Sequence, residues 1–139
     1  MLKVLVVEDD ESIRKTMGWV LESLGHQSHL AGTGEEAILL VDSASQYQVL
    51  LVDLSLPGMS GEQFAVRWLQ ALPKEGSIPD ILFCSALQEG ELRASAVKLQ
   101  LSAPPGKVHF LRKPFRIEEL ERLLNGIEGR LASSAGRAA

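Results

Sequence analysis

Four apolar runs of strand length in this chain each end on a polar residue of distinct chemistry. Residues 2–7 (LKVLVV) lead into Glu8-Asp9-Asp10, residues 49–52 into Asp53, residues 81–84 into Ser85, and residues 108–111 into Lys113. Runs this short and this continuously apolar are the pattern of strands covered on both faces, the situation of a parallel sheet. Between them the spacing becomes helical. Ile13, Met17, Val20, Leu21 and Leu24 share one helix face, and Gly25 follows as a stop. Gln27–Ala31 is a more polar strand suited to an edge. Thr33-Gly34-Glu35-Glu36 forms a capping box that opens a helix striped by Ala37, Leu40, Val41 and Ala44. Ser60-Gly61-Glu62-Gln63 caps a helix burying Phe64, Trp68, Leu69 and Leu72. A fourth strand is expected over residues 78–84, a helix over 87–101, a turn at Pro104-Pro105-Gly106 and a fifth strand over 107–112. Ile117, Leu120, Leu124, Ile127 and Leu131 stripe a final helix.

Five βα units in strict alternation build a parallel sheet with helices on both faces, because each right-handed crossover must return over the sheet. Strand carboxyl ends in such a sheet converge on one edge, where ligands bind. Glu8, Asp53, Ser85 and Lys113 stand 45, 32 and 28 positions apart, and they are expected to meet in one pocket together with Asp9. Two carboxylates about 4 Å apart repel by roughly 4 kcal/mol at an effective dielectric near 20. Three of them in a dry cluster therefore call for a cation.

Composition narrows the classes. A chain of 139 residues is expected to be one domain, residues 1–131, with a core large enough to need no staples. Residues 132–139, small and without apolar periodicity, read as a frayed tail or linker stub. The net charge of −4 and the lack of any basic stripe exclude nucleic acid as a direct partner. No apolar run approaches the roughly 18 residues of a membrane span, so no membrane partner is expected and a cytoplasmic location is the default. Cys84, the lone cysteine, lies inside an apolar run and reads as core. His26, His29 and His109 share no zinc-ligand spacing. Glu8-Asp9-Asp10 stands where a dinucleotide site needs glycines, and it would repel a pyrophosphate.

Taken together, Leu5-Val6-Val7-Glu8-Asp9-Asp10, the stretch Leu51-Val52-Asp53-Leu54-Ser55-Leu56-Pro57-Gly58-Met59-Ser60-Gly61, Ser85-Ala86 and Arg112-Lys113-Pro114-Phe115 resemble the receiver domain of two-component response regulators. The resemblance covers residues 2 to about 130. It implies an α/β, flavodoxin-like (βα)5 fold: a doubly wound five-stranded parallel sheet in the order 2-1-3-4-5. It implies Asp53 as the phosphorylated nucleophile. Glu8, Asp9, Asp53 and the backbone carbonyl of Ser55 would hold Mg2+, while Asp10 is left to cap the first helix. Lys113 would meet a phosphoryl oxygen, often behind a cis Lys-Pro bond, and Ser85 would donate its hydroxyl to another. Ser85 and Phe110 would form a switch acting on the face of the fourth helix, fifth strand and fifth helix. Phe110 lacks the hydroxyl of the tyrosine common there, so its part would rest on packing.

The implied donor is a histidine kinase or a histidine phosphotransfer protein. The implied recipient is a downstream protein target or an output domain, and a homodimer stays open. The chain is thus expected to be a signalling phosphoacceptor that promotes its own phosphoryl transfer and dephosphorylation, rather than an enzyme. Residues 100–106 look longer than in compact members, which would reshape the signalling face and not the chemistry. Leu87 cannot orient a water, so a longer-lived phosphoform is expected. A phosphorylation-independent pseudo-receiver is the alternative, and every acidic and basic position it would have lost is filled. A haloacid-dehalogenase-like phosphatase would need an aspartate where Ser55 stands.

Overall fold

Successive side chains of a strand point to opposite faces, so a strand without polar positions needs cover on both sides. In the computed structural model, which describes residues 1–40, 47–54, 61–71, 79–85 and 107–138, the strands receive that cover. Val4 and Val6 of β1 (Lys3–Val7) meet Met17 and Leu21 of α1 (Glu11–Ser23), together with Leu120, Leu124 and Ile127 of the C-terminal helix (Ile117–Ala138). Leu5 and Val7 face the other way. They join Ala37 of α2 (Gly34–Ile38) and Phe64, Ala65 and Trp68 of α3 (Gly61–Ala71). Two cores thus sandwich one sheet with every neighbouring pair parallel, in the order β2 (Gln27–Ala31), β1, β3 (Val49–Asp53), β4 (Asp80–Ser85) and β5 (Val108–Arg112). β3 and β4 are buried at every position. β2 and β5 are the edges, and Gln27 and His29 are exposed as the polar run led one to expect.

Local signals set the ends. The Asp10 carboxylate caps α1 by accepting from the Ile13 amide at 2.9 Å. At the other end Gly25 has φ +85°, and its amide and that of His26 donate to the Glu22 and Leu21 carbonyls, both at 3.0 Å. This double bond is the glycine-closed helix end known as the Schellman motif. Thr33 accepts from the Glu36 amide at 3.0 Å, and the Glu36 carboxylate accepts from Gly32 at 2.9 Å. The capping box is therefore present, with the glutamate reaching one residue before the cap.

Three expectations are corrected or fall elsewhere. Ile13 and Ile117 lie on apolar stripes yet are 41% and 51% exposed. Residues 132–139 are expected to be a frayed tail or linker stub, and the C-terminal helix continues through them as far as Ala138. Alanine has the highest helix propensity, and no proline interrupts residues 132–138, so the helix propagates although Ala132 and Ser133 are exposed. Ser55, Leu87, the helix over 87–101 and the loop 100–106 lie outside the described residues. Among the described residues, no helix is long and apolar enough to cross a membrane.

At the amino end of β4, Asp80 is only 1% exposed. It is held by His109 Nε2 of β5 at 2.8 Å and by the Arg130 guanidinium of the C-terminal helix. Burial alone would raise its pKa, but hydrogen bonds from His109 and Arg130 outweigh that and lower it. A carboxyl whose folded value lies below its unfolded one stabilises above the unfolded value and loses that as pH falls through the folded one. Asp80→Ala should therefore cost about 2 kcal/mol at pH 7, as loss of a hydrogen-bonded charge does when its partners stay partly solvated. In urea unfolding, the gap to the wild-type protein should close only in acid below the ordinary aspartate range.

Candidate functional site

Parallel register alone delivers four polar residues to one edge. Val7 pairs with Val52, and Asp53 with Cys84, so Glu8 emerges beside Asp53, with Ser85 one residue further along the next strand. Backbone bonds fasten the strand ends together. The Glu8 amide donates to Ala31 at 3.1 Å, Leu54 to Cys84 at 3.1 Å, and Lys113 to Ser85 at 2.7 Å. The strand order reverses between β1 and β3, and a sheet of this kind opens its crevice there.

Inside this crevice Glu8 and Asp53 are buried at 5% and 6% exposure, while Asp9 is exposed. One carboxylate oxygen from each of the three lies within 4.8 Å of the others. The Lys113 ammonium bridges two of them, 3.2 Å from Glu8 Oε2 and 3.3 Å from Asp53 Oδ2. The peptide bond from Lys113 to Pro114 is cis. Burial, then the Asp53 charge, raise the Glu8 pKa against the pull of Lys113. Burial would lower that of Lys113, but the Asp53 and Glu8 carboxylates outweigh it and raise it, so the ammonium stays charged. Three carboxylates from two strand ends, two of them buried, are the hard oxygen donors that suit a small divalent cation, and Mg2+ accepts such a partial set because it keeps several waters.

Ser85 is 1% exposed at the end of β4. Phe83, two residues earlier and so on the same face of the strand, stacks on Phe110 with ring centroids 5.8 Å apart. Phe110 is half-buried against the core beneath α2 and α3. Cys84 is core, as expected, and burial pushes its thiol up to about 12.

Two features escaped the sequence reading. One is a cavity of about 370 Å³ beside the acidic cluster, walled by Ile13, Met17, Cys84 and Phe115, with Glu8 and Lys113 at its polar end. It adjoins a second one bounded by Ile13, Met17, Phe115 and Ile117, which accounts for the exposure of the two isoleucines. The other is Arg14, whose Nη1 donates to the backbone carbonyls of Glu8 at 2.9 Å and Asp9 at 3.4 Å. A cation in the first turns of a helix, where the macrodipole disfavours it, was the available signal.

A doubly wound sheet with an acidic cluster and a lysine at its switch point defines the class of flavodoxin-like acceptor domains. The chain belongs to the response regulator receiver domain family, whose model matches residues 4–125. It is 33% identical over 126 residues to the positive alginate biosynthesis regulatory protein of Pseudomonas aeruginosa, covering 88% of this chain and 46% of that protein. It is 32% identical over 134 residues to the sensor histidine kinase AtsR of Burkholderia thailandensis, covering 95% of this chain and 20% of that one. The chain thus spans between a fifth and half of the length of these relatives. Among solved structures, it is similar to a Francisella response regulator receiver domain (TM-score 0.74, 26% identity, 94% of this chain and 99% of that one). It is also similar to the receiver domain of a Pseudomonas aeruginosa sensor histidine kinase, described with magnesium coordinated in the active site cleft (TM-score 0.71, 26% identity, 92% and 98%). It is a phosphoacceptor domain of two-component systems.

Glu8 allows a test of the site without turnover. A carboxyl with a folded pKa above its unfolded value stabilises below the unfolded value and loses that contribution as pH rises through the folded one. Ionised Glu8 is therefore a cost at neutral pH. Glu8→Gln in EDTA should raise Tm at pH 7 by about 3 °C, what roughly 1 kcal/mol amounts to in a domain of this size. By pH 4 that gain should vanish, and added Mg2+ should stabilise the wild-type protein but not the variant.

Proposed function

We propose that this domain takes a phosphoryl group from a phosphohistidine onto Asp53, with Mg2+ held by Glu8, Asp9 and Asp53, and transmits the change through Ser85 and Phe110. The observation that carries the reading is the meeting of Glu8, Asp53 and Lys113, side chains 45 and 60 residues apart in pairs, within direct hydrogen-bonding reach of one ammonium. An Asp53 oxygen attacks phosphorus as the P–N bond breaks, and that bond's electron pair returns to the imidazole nitrogen. Mg2+, when bound, would neutralise charge on the transferring oxygens. Transfer of this kind needs mainly in-line positioning and electrostatic stabilisation. Lys113 supplies a compact charge for one phosphoryl oxygen, and the Ser85 hydroxyl serves another. The Ser55 carbonyl, implied by resemblance, remains part of this proposal as a further Mg2+ ligand.

Support for the relay is the shared face of Ser85 and Phe83 together with the stack of Phe83 on Phe110. A hydroxyl drawn toward a phosphoryl group moves the strand end that Phe83 occupies, and the stack hands the motion to β5. From there it reaches the face of β5 and the C-terminal helix, on which a downstream protein or an output domain would read it. Incubation with Mg2+ and acetyl phosphate should add the mass of one phosphoryl group to the wild-type protein and none to Asp53→Asn. Amide shifts should extend to residues 108–112. Shifts confined to the residues around Asp53 would remove Phe110 from the account.

The donor itself is proposed to be a protein, a histidine kinase or a histidine phosphotransfer protein. Ile13 and Ile117 expose apolar surface on the groove that continues the acceptor cavity, a surface that a small phosphodonor does not use. Ile13→Asp and Ile117→Asp should each slow transfer from a phosphorylated histidine protein by tenfold or more while leaving acetyl phosphate labelling within twofold. Equal loss with both donors would point to damage at Asp53 instead of docking.

A further inference from the structure

We propose that Arg14 is a positioning residue for the acidic pair, and that Gly32 exists to leave room for its guanidinium. The inference rests on the reading of Glu8 and Asp9 as metal ligands. Arg14 sits four residues into α1, where a cation gains nothing from the helix dipole. Its side chain folds back toward the helix start, as helical side chains do. There Nη1 is 2.9 Å from the Glu8 carbonyl and 3.4 Å from that of Asp9. These two carbonyls belong to the two residues whose carboxylates enter the cluster with Asp53. The guanidinium thus fixes the backbone turn from behind while the carboxylates face the crevice.

The turn is held from its other sides too. The Asp10 amide donates to Glu8 Oε1 at 3.3 Å, and the Asp10 carboxylate caps α1. Arg14 is the group that joins Glu8 and Asp9 through their main chain. Across the groove, a Cβ on Gly32 would lie 2.9 Å from Arg14 Nη1 and 3.5 Å from its Cζ, with Glu36 Oε2 at 3.6 Å. The space a side chain would take at residue 32 is filled by the guanidinium. Glu36, which accepts from the Gly32 amide, borders that space on its far side. Since the obstructing atom is the tip of a flexible side chain, an alanine at residue 32 would displace it rather than unfold the loop.

The experiment uses Arg14→Met, which keeps most of the alkyl stem, Gly32→Ala and the double variant, each checked for folding by circular dichroism. Partners behind a ligand typically set metal affinity by tenfold or more. Calorimetric titration with Mg2+ should show each single variant weakened about tenfold. The double variant should be no weaker than either, because without the guanidinium the new methyl has nothing to displace. In the metal-free protein, the backbone carbonyl carbon resonances of Glu8 and Asp9 should move in both single variants. An Mg2+ affinity within twofold of wild type in Arg14→Met, unmoved carbonyl resonances, or losses that sum in the double variant would overturn the assignment. Should the wild-type protein fail to bind Mg2+, the reading of the site falls, and the carbonyl resonances still decide what Arg14 does.

Discussion

Every part of this molecule depends on a sheet that is covered on both faces. Once Val4 and Val6 serve one core and Leu5 and Val7 the other, no position of β1 from Val4 to Val7 can carry a charge without being buried. The same holds for β3 and β4. Charge can enter only where strands end, and parallel pairing puts like ends together. The chemistry of the domain is displaced to one edge by the requirements of its core. That is why residues as distant as Glu8 and Lys113, 105 positions apart, become neighbours without any local sequence signal linking them.

What the edge gains in proximity it risks in repulsion. Glu8 and Asp53 are both nearly buried, and burial first, then the Asp53 charge, raises the proton affinity of Glu8. A single ammonium shared between two carboxylates offsets part of this and leaves Asp9, which faces solvent, outside its reach. The cluster remains one that gains from further positive charge. A cluster of oxygen donors of this kind is thus a consequence of how the strands end, and the basic residue beneath the turn, Arg14, meets it through the main-chain carbonyls of Glu8 and Asp9.

Strand positions were legible because continuous apolar runs have few other uses, and helix ends because Gly25, Asp10 and Thr33 each satisfy an identifiable backbone group. The order of the strands was not in the spacing; it followed from resemblance, and the structure agrees. Periodicity told which helix face Ile13 and Ile117 occupy, but not that no neighbour would cover it. The helical 132–138 segment was missed because absence of an apolar stripe speaks to packing and not to propensity. Glu8, Asp53 and Lys113 could be placed on one edge in advance because each stands at or just past the end of a strand, while the part proposed for Asp9 came from resemblance. Arg14 was marked only by its place near a helix start, since its partners are carbonyls, which every residue has.

Asp80 makes the same point at the opposite end of β4. It follows a proline at a strand start, where a lone aspartate reads as a turn, yet its partners His109 and Arg130 come from 29 and 50 residues away. β4 therefore carries buried polar groups at both ends, Asp80 at one and Ser85 at the other, with only apolar residues between. Each of these ends is tied to β5, through His109 in one case and through the Lys113 amide in the other. The Asp80 tie extends to the C-terminal helix through Arg130. Under the proposed relay, a displacement of Ser85 along β4 would act on a strand whose far end is anchored by the hydrogen bonds of Asp80 with His109 and Arg130. Such an anchor resists sliding of the strand as a whole and leaves side-chain repacking at Phe83 and Phe110 as the softer response.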